Sequence, residues 1–305
     1  MLLNCDAKIL YNERLFIIIV CIDLLWQDAL NVSYISENQF FKAGFFITAT
    51  GILLRLLNKF LSIKLFVLRL QIQITRMKTI GLIGGLSWLS TAEYYETLNE
   101  LVNEKLGGVH SAKIILHSVD FAPIKTLTEN NDWNGIAGII GSAAKGLQLA
   151  GADCILLGAN TMHKIADEIQ ASVEIPLIHI ADAVATAINK KGLQKVALLG
   201  TKYTMQLDFY KNRLKAKGID IMIPGITDIE FINNSIYEEF SKNIFLPATK
   251  EQYLRIMNEM IQEGAQGFVL GCTEIPILIK SNDIAVPLFD TAAIHAAAAV
   301  DFALS

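Results

Sequence analysis

Cysteine is scarce and poorly spaced for any chemistry that needs it in pairs. The 305 residues hold four, Cys5, Cys21, Cys154 and Cys272, with no CxxC arrangement among them. That argues against the common zinc sites and against a disulfide scaffold, and it fits a reducing cytoplasm. Long basic runs are missing and the net charge is −4, so nucleic-acid binding has nothing to support it. Neither GxGxxG nor GxxxxGK[ST] occurs, so the glycine-rich turns do not signal a nucleotide. Charged residues are only 18% of the chain against 52% hydrophobic, which excludes a disordered polymer. Apolar runs are short as well. Residues 15–22 and 43–54, closed by Asp23 and Arg55, fall below the roughly 18 residues a spanning helix needs.

Residues 1–76 lack proline and differ in texture from the remainder of the chain. They also lack the basic start, single apolar stretch and small-residue cleavage site of a signal peptide. The preferred reading is an N-terminal extension outside the functional fold, upstream sequence translated by an early start, with the functional chain beginning at Met77. The rivals are a membrane-associated hairpin and a small helical extension.

From Met77 onward the chain says things twice. Gly151-Ala-Asp-Cys-Ile-Leu-Leu-Gly158 matches Gly264-Ala-Gln-Gly-Phe-Val-Leu-Gly271 at a constant offset of 113, which lays Ala159 on Cys272. Ile80 to Leu98 matches Val196 to Leu214 at an offset of 116, with Gly84 on Gly200 and Tyr94 on Tyr210. Ile175-Pro176-Leu177 matches Val286-Pro287-Leu288 at an offset of 111. Three echoes in one order make a duplicated domain, the period being too long for a solenoid.

Short apolar runs alternate with helical spacing throughout. Strands are predicted at 79–83, 112–118, 154–157, 176–180, 195–199, 219–223, 267–270 and 286–289. Helices are predicted at 92–104, 132–150, 161–171, 181–191, 205–217, 228–240, 250–264 and 292–303. This pattern predicts an α/β fold of two pseudo-symmetric domains, each a short parallel sheet flanked by helices, with the active site in the cleft between them. The first half is expected to comprise 77–185 plus 286–305, the second 186–285. The last strand and helix are expected to return to the first half, because Pro287 echoes Pro176.

The strand ends carry the candidate chemistry. Cys272 follows an apolar strand and precedes a helix start near Glu274, where free N–H groups favour a thiolate. Thr273 and Asn160 place hydrogen-bonding side chains beside the two matched positions. Gly84-Gly85 with Ser87, and Gly200-Thr201 with Thr204, are turns of bare N–H and hydroxyl donors suited to a carboxylate. Cys154 lies within its strand and reads as core. His163 serves a helix cap or a substrate equally well; His179 and His295 lie near strand ends.

Six blocks carry a resemblance: Lys78 to Gly85 with Ser87-Trp88 and Ser90-Thr91; Asn160-Thr-Met-His-Lys164; His179-Ile-Ala-Asp-Ala183; Leu199-Gly-Thr201 with Tyr203-Thr-Met205; Gly271-Cys-Thr-Glu-Ile275; and Asp290-Thr-Ala-Ala-Ile-His295. Over residues 77–305 the chain resembles the aspartate/glutamate racemases, and among them the broad-specificity amino-acid racemases of bacteria. The resemblance implies an amino-acid racemase without pyridoxal phosphate or metal, in which two acid/base groups flank the substrate α-carbon. Cys272 would be one of them. Ser87, Asn160, Thr161, His163, Thr201, Thr204, Thr273 and Glu274 would bind an amino acid, and relatives imply a homodimer.

One departure stands out. The first-half acid/base position, cysteine or threonine in such relatives, is Ala159. Gly158 and Leu89 also depart from the pattern. A methyl group moves no proton, which leaves three readings. They are a racemase that replaces the missing group, an amino-acid-binding or regulatory homologue, and one-base α-proton exchange or isomerisation by Cys272.

Overall fold

The computed structural model describes residues 77–305 together with Asn58, Leu61 and Ser62. The expectations for the rest of residues 1–76 lie outside the described residues.

Strands form where apolar residues run without alternation, as they must when helices cover both faces of a sheet. β1 (Ile80–Gly84) and β3 (Cys154–Leu157) are buried at every position. With β2 (Ile114–Ser118) they make a parallel sheet in the order β2-β1-β3. Along the chain up to β4 the helical segments are α1 (Trp88–Leu106), α2 (Phe121–Glu129), α3 (Trp133–Leu149), a 3₁₀ turn at Thr161–Ile165, α4 (Ala166–Ala171) and α5 (Ile180–Lys190). The second sheet is also parallel, with β4 (Lys195–Gly200), β5 (Asp220–Met222), β6 (Phe268–Gly271) and β7 (Leu288–Asp290) in the order β5-β4-β6-β7. Its helices are α6 (Lys202–Gln206), α7 (Asp208–Lys215), α8 (Ile226–Glu238), α9 (Pro247–Gln262), the short α10 (Ile275–Leu278) and α11 (Thr291–Ala303). No helix among the described residues is long and apolar enough to cross a membrane.

Two expectations need correction, and one helix was missed. The strand expected at 176–180 shrinks to one bridge, Leu177 beside Ile155, because Pro176 has no N–H to give and His179 already caps α5. The helix α2 was not foreseen, although Asp120 caps it, accepting from Ala122 N at 3.2 Å, and Pro123 stands in its first turn. Most consequentially, β7 does not return to the first half; it pairs with β6, Phe268 against Leu288. The proline echo reports the same job done in each half. Pro176 O accepts from Ile155 N, and Pro287 O accepts from Phe268 N, both at 2.9 Å.

What does cross over is the helix after each proline. α11 buries Ala292, Ala296, Ala299, Val300 and Ala303 in the core of the first half, with Ile80, Tyr94 and Leu98. α5 buries Ile180, Val184 and Ile188 in the core of the second half, with Leu198 and Tyr210. The expected division at residue 185 therefore cuts through a helix that belongs wholly to the second core. Alanine at every third or fourth position of α11 lets it approach closely, and it packs against both α1 and α5.

Glycines close both central strands. Gly158 N donates to Ile83 O at 2.9 Å beside Gly84, and Gly200 lies beside Gly271. A Cβ on Gly84 would meet Thr91 Cγ2 at 2.4 Å, and Thr91 Oγ1 is already held, accepting from Gly85 N at 2.8 Å and donating to Ser87 O at 2.9 Å. Gly84→Ala is therefore expected to cost about 1–3 kcal/mol, as overpacking does. Thermal unfolding should show a fall of several degrees; an unchanged midpoint would mean that the Thr91 turn yields freely.

Candidate active site

The carboxyl ends of the strands face one cavity of about 310 Å³, lined from both halves. Of the residues singled out in the sequence, Ser87, Ala159, Asn160, Thr161, Thr201, Cys272, Thr273 and Glu274 line it. Thr204 and His163 do not. Thr204 is fully buried behind Thr201, and His163 lies beneath the Ala159 loop.

Cys272 follows β6, and its thiol donates to Glu274 Oε2 at 2.9 Å. The hydroxyl of Thr273 donates to the same oxygen at 2.8 Å. A 2.6 Å hydrogen bond then joins Thr273 Oγ1 to Ser90 Oγ across the cleft. The short helix α10 does not give Cys272 the depressed pKa expected of a helix start. Burial, and then the adjacent Glu274 carboxylate, push the thiol well above its ordinary value. The resting group is a neutral thiol bonded to an acceptor.

On the opposite side, the hydroxyl of Thr161 lies 3.0 Å from Thr201 Oγ1 and 3.3 Å from Thr204 Oγ1. The Asn160 amide donates through Nδ2 to Thr291 Oγ1 at 2.9 Å. Each half thus sends a hydroxyl from the segment after its first strand, Ser90 in the first turn of α1 and Thr201 just past β4, onto the strand-end loop of the other. Ser90 meets Thr273, and Thr201 meets Thr161.

Some residues of the cavity were not singled out. Phe121, Lys125 and Glu129 come from α2, and Asn233 and Tyr237 from α8. Asn233 and Asn234 interrupt an otherwise periodic helix, and Asn233 Oδ1 accepts from Lys202 N at 3.0 Å. That polar pair was the available signal. Outside the cavity lining, Glu93 on α1 also went unnoticed. Burial first, then the carboxylates of Asp290 and Glu274, raise its pKa to about 7.

Behind the Ala159 loop three histidines converge. The ring of His163 meets those of His179 and His295 edge to face, at 4.7 and 5.3 Å between centroids. His295 bonds Ile178 O through Nε2 and accepts from Tyr94 OH at Nδ1, and His179 Nδ1 accepts from Ala181 N. Burial holds all three neutral, pushing His163 well below its ordinary value, His179 down to about 3 and His295 to about 4. These are depressed cationic groups. Unfolded imidazoles bind protons from about pH 6.5 down while the folded ones do not, so stability rises with pH across that window and falls as pH drops. Glu93 has the opposite sign, its raised pKa making stability fall as pH rises from about 4.5 to about 7, by less because the group is partly exposed. The urea midpoint is therefore expected to drop between pH 6.5 and 5, above the range where most carboxylates titrate. A flat profile there would show that the imidazoles gain solvent without unfolding.

The fold is shared with known proteins. A sequence profile of the Asp/Glu/hydantoin racemases matches residues 83–299. The chain belongs to that family. A solved structure from Yersinia pestis, an Asp/Glu racemase candidate, is 48% identical, covering 75% of this chain and all of that one, with a TM-score of 0.72. An aspartate racemase homologue from Pyrococcus horikoshii is 39% identical over 75% of this chain and all of its own, with a TM-score of 0.67. The broad-specificity amino-acid racemase RacX of Bacillus subtilis is 25% identical over 155 residues, 51% of this chain and 66% of its own length. As a member of this racemase family, the chain has the two-sheet α/β fold of its relatives.

Proposed function

We propose that this racemase-family chain moves the α-proton of an amino acid without pyridoxal phosphate, with Cys272 as the proton carrier on one face. The observation that carries the reading is the Cys272–Glu274 pair on the wall of a cavity lined with hydroxyl donors. As an acid, the neutral thiol gives its proton to the α-carbanion. As a base, it first passes its proton to Glu274 and then takes the α-proton. The hydroxyls of Ser87, Thr161 and Thr201 stabilise the charge that develops on the substrate carboxylate. On the second face Ala159 offers only a methyl, so water admitted beside it exchanges the proton and racemisation is slow.

A second reading, favoured by Ala159 itself, is exchange from one face with retained chirality. Proton NMR of L- and D-amino acids in D₂O, read with optical rotation, separates the two. Loss of the α-proton signal together with rotation supports the racemase. Loss of the signal alone supports one-face exchange by Cys272. No exchange with any common amino acid would end both and leave a binding protein.

A further inference from the structure

Thr291 has no place in the proton transfer, yet it touches both repeated strand ends. It is fully buried in the first turn of α11. Its hydroxyl donates to Leu270 O at 2.8 Å, two residues before Cys272, and accepts from Asn160 Nδ2 at 2.9 Å. A hydroxyl has one proton. With that proton on the Leu270 carbonyl, Thr291 can only accept from Asn160, so the amide must face it with nitrogen. The amide oxygen is thereby turned away, and Asn160 Oδ1 is buried with no partner. Buried polar atoms rarely stay unsatisfied.

The neighbouring His163 cannot be that partner. Its Nδ1 lies 3.0 Å from Ala159 O, which only accepts. Held neutral, the ring must therefore carry its proton on Nδ1, leaving Nε2 as an acceptor, and Nε2 also has no partner. Two acceptors do not bond to one another. The group that would satisfy Asn160 Oδ1 is a donor, and Asn160 lines the cavity.

We propose that Thr291 is a positioning residue that locks the Asn160 amide with its carbonyl free, so that the cavity presents an acceptor to the ammonium group of an amino acid. This rests on the amino-acid reading above. The lock works from outside the cavity, because Thr291 does not line it.

The test has one arm without ligand and one with it. In the full-length protein, the Asn160 side-chain N–H signals should exchange slowly with solvent in the wild type and in Thr291→Ser. In Thr291→Val, which keeps shape and loses the hydroxyl, they should exchange at least tenfold faster. Calorimetry with L-glutamate and with glutarate, which lacks the amino group, then reads function. Thr291→Val should weaken glutamate about tenfold or more, the scale of one hydrogen bond to a charged group, and leave glutarate within about twofold. Thr291→Ser should restore glutamate binding. Equal weakening of both ligands, or a Thr291→Ser variant as impaired as Thr291→Val, would mean a merely structural threonine and would overturn the proposal. So would unprotected Asn160 protons in the wild type, or glutamate binding no tighter than glutarate. If instead the protons are protected and glutamate outbinds glutarate but no α-proton exchange occurs, the lock stands and the racemase reading fails.

Discussion

Replacing Cys272 with alanine should reduce α-proton exchange by a factor of about 10²–10⁴ or more, the usual contribution of a positioned acid/base group. The size of the effect comes from Ala159. Where two protein groups flank the α-carbon, loss of one leaves the other to exchange from its own side; here the matched position on the opposite wall, Ala159, offers only a methyl. Fold and stability should change little, because Cys272 keeps a partly exposed edge at the cavity wall. The measurement is the decay of the α-proton signal in D₂O, with thermal unfolding as a control. Cys272→Ser, whose hydroxyl is far less acidic than a thiol, should lie close to the alanine variant. If exchange persists at the wild-type rate in a well-folded Cys272→Ala protein, the thiol is not the proton carrier.

Ala159→Cys should do the reverse and raise racemisation by a factor of about 10²–10⁴. Ala159 lies at the cavity wall and is partly exposed, so the added sulfur enters open space and the overpacking cost is small. The signature is conversion of exchange without inversion, or of slow inversion, into fast loss of optical rotation. Combining the change with Cys272→Ala gives a sharper test. The double variant should exchange from the opposite face only, and the two changes should be strongly non-additive. No gain in rotation loss from Ala159→Cys, with folding intact, would show that the first-half wall no longer holds the α-carbon within reach.

Much of the fold and site was legible in the sequence because it is written twice. The echo at an offset of 113 pairs Ala159 with Cys272 from the residues alone, and the strand-end turns with Ser87 and Thr201 fall on the cavity as their hydroxyls implied. What periodicity could not supply was spatial. The proline echo was visible, but a repeat reports equivalent roles without saying which half a segment packs against, so β7 was expected in the wrong sheet. The expected depression of the Cys272 thiol came from a helix start alone. The burial and the Glu274 carboxylate that outweigh it belong to the tertiary structure. The histidine cluster brings His295 to His163 and His179, more than a hundred residues earlier in the chain, and no local signal joins them. Helix α2 is different. Its capping aspartate and early proline were readable, and with it the α2 side of the cavity.

The reciprocal placement of α5 and α11 carries a consequence for origin and assembly. Either half taken alone would present one sheet face with no helix of its own to cover it and one apolar helix with no sheet to cover. The least costly remedy for such a piece is a second copy of itself, each lending its last helix to the other in an exchanged dimer. The present chain has the form of such a pair joined end to end. In one chain the two strand-end loops need not be identical, and here one carries a thiol at Cys272 and the other a methyl at Ala159.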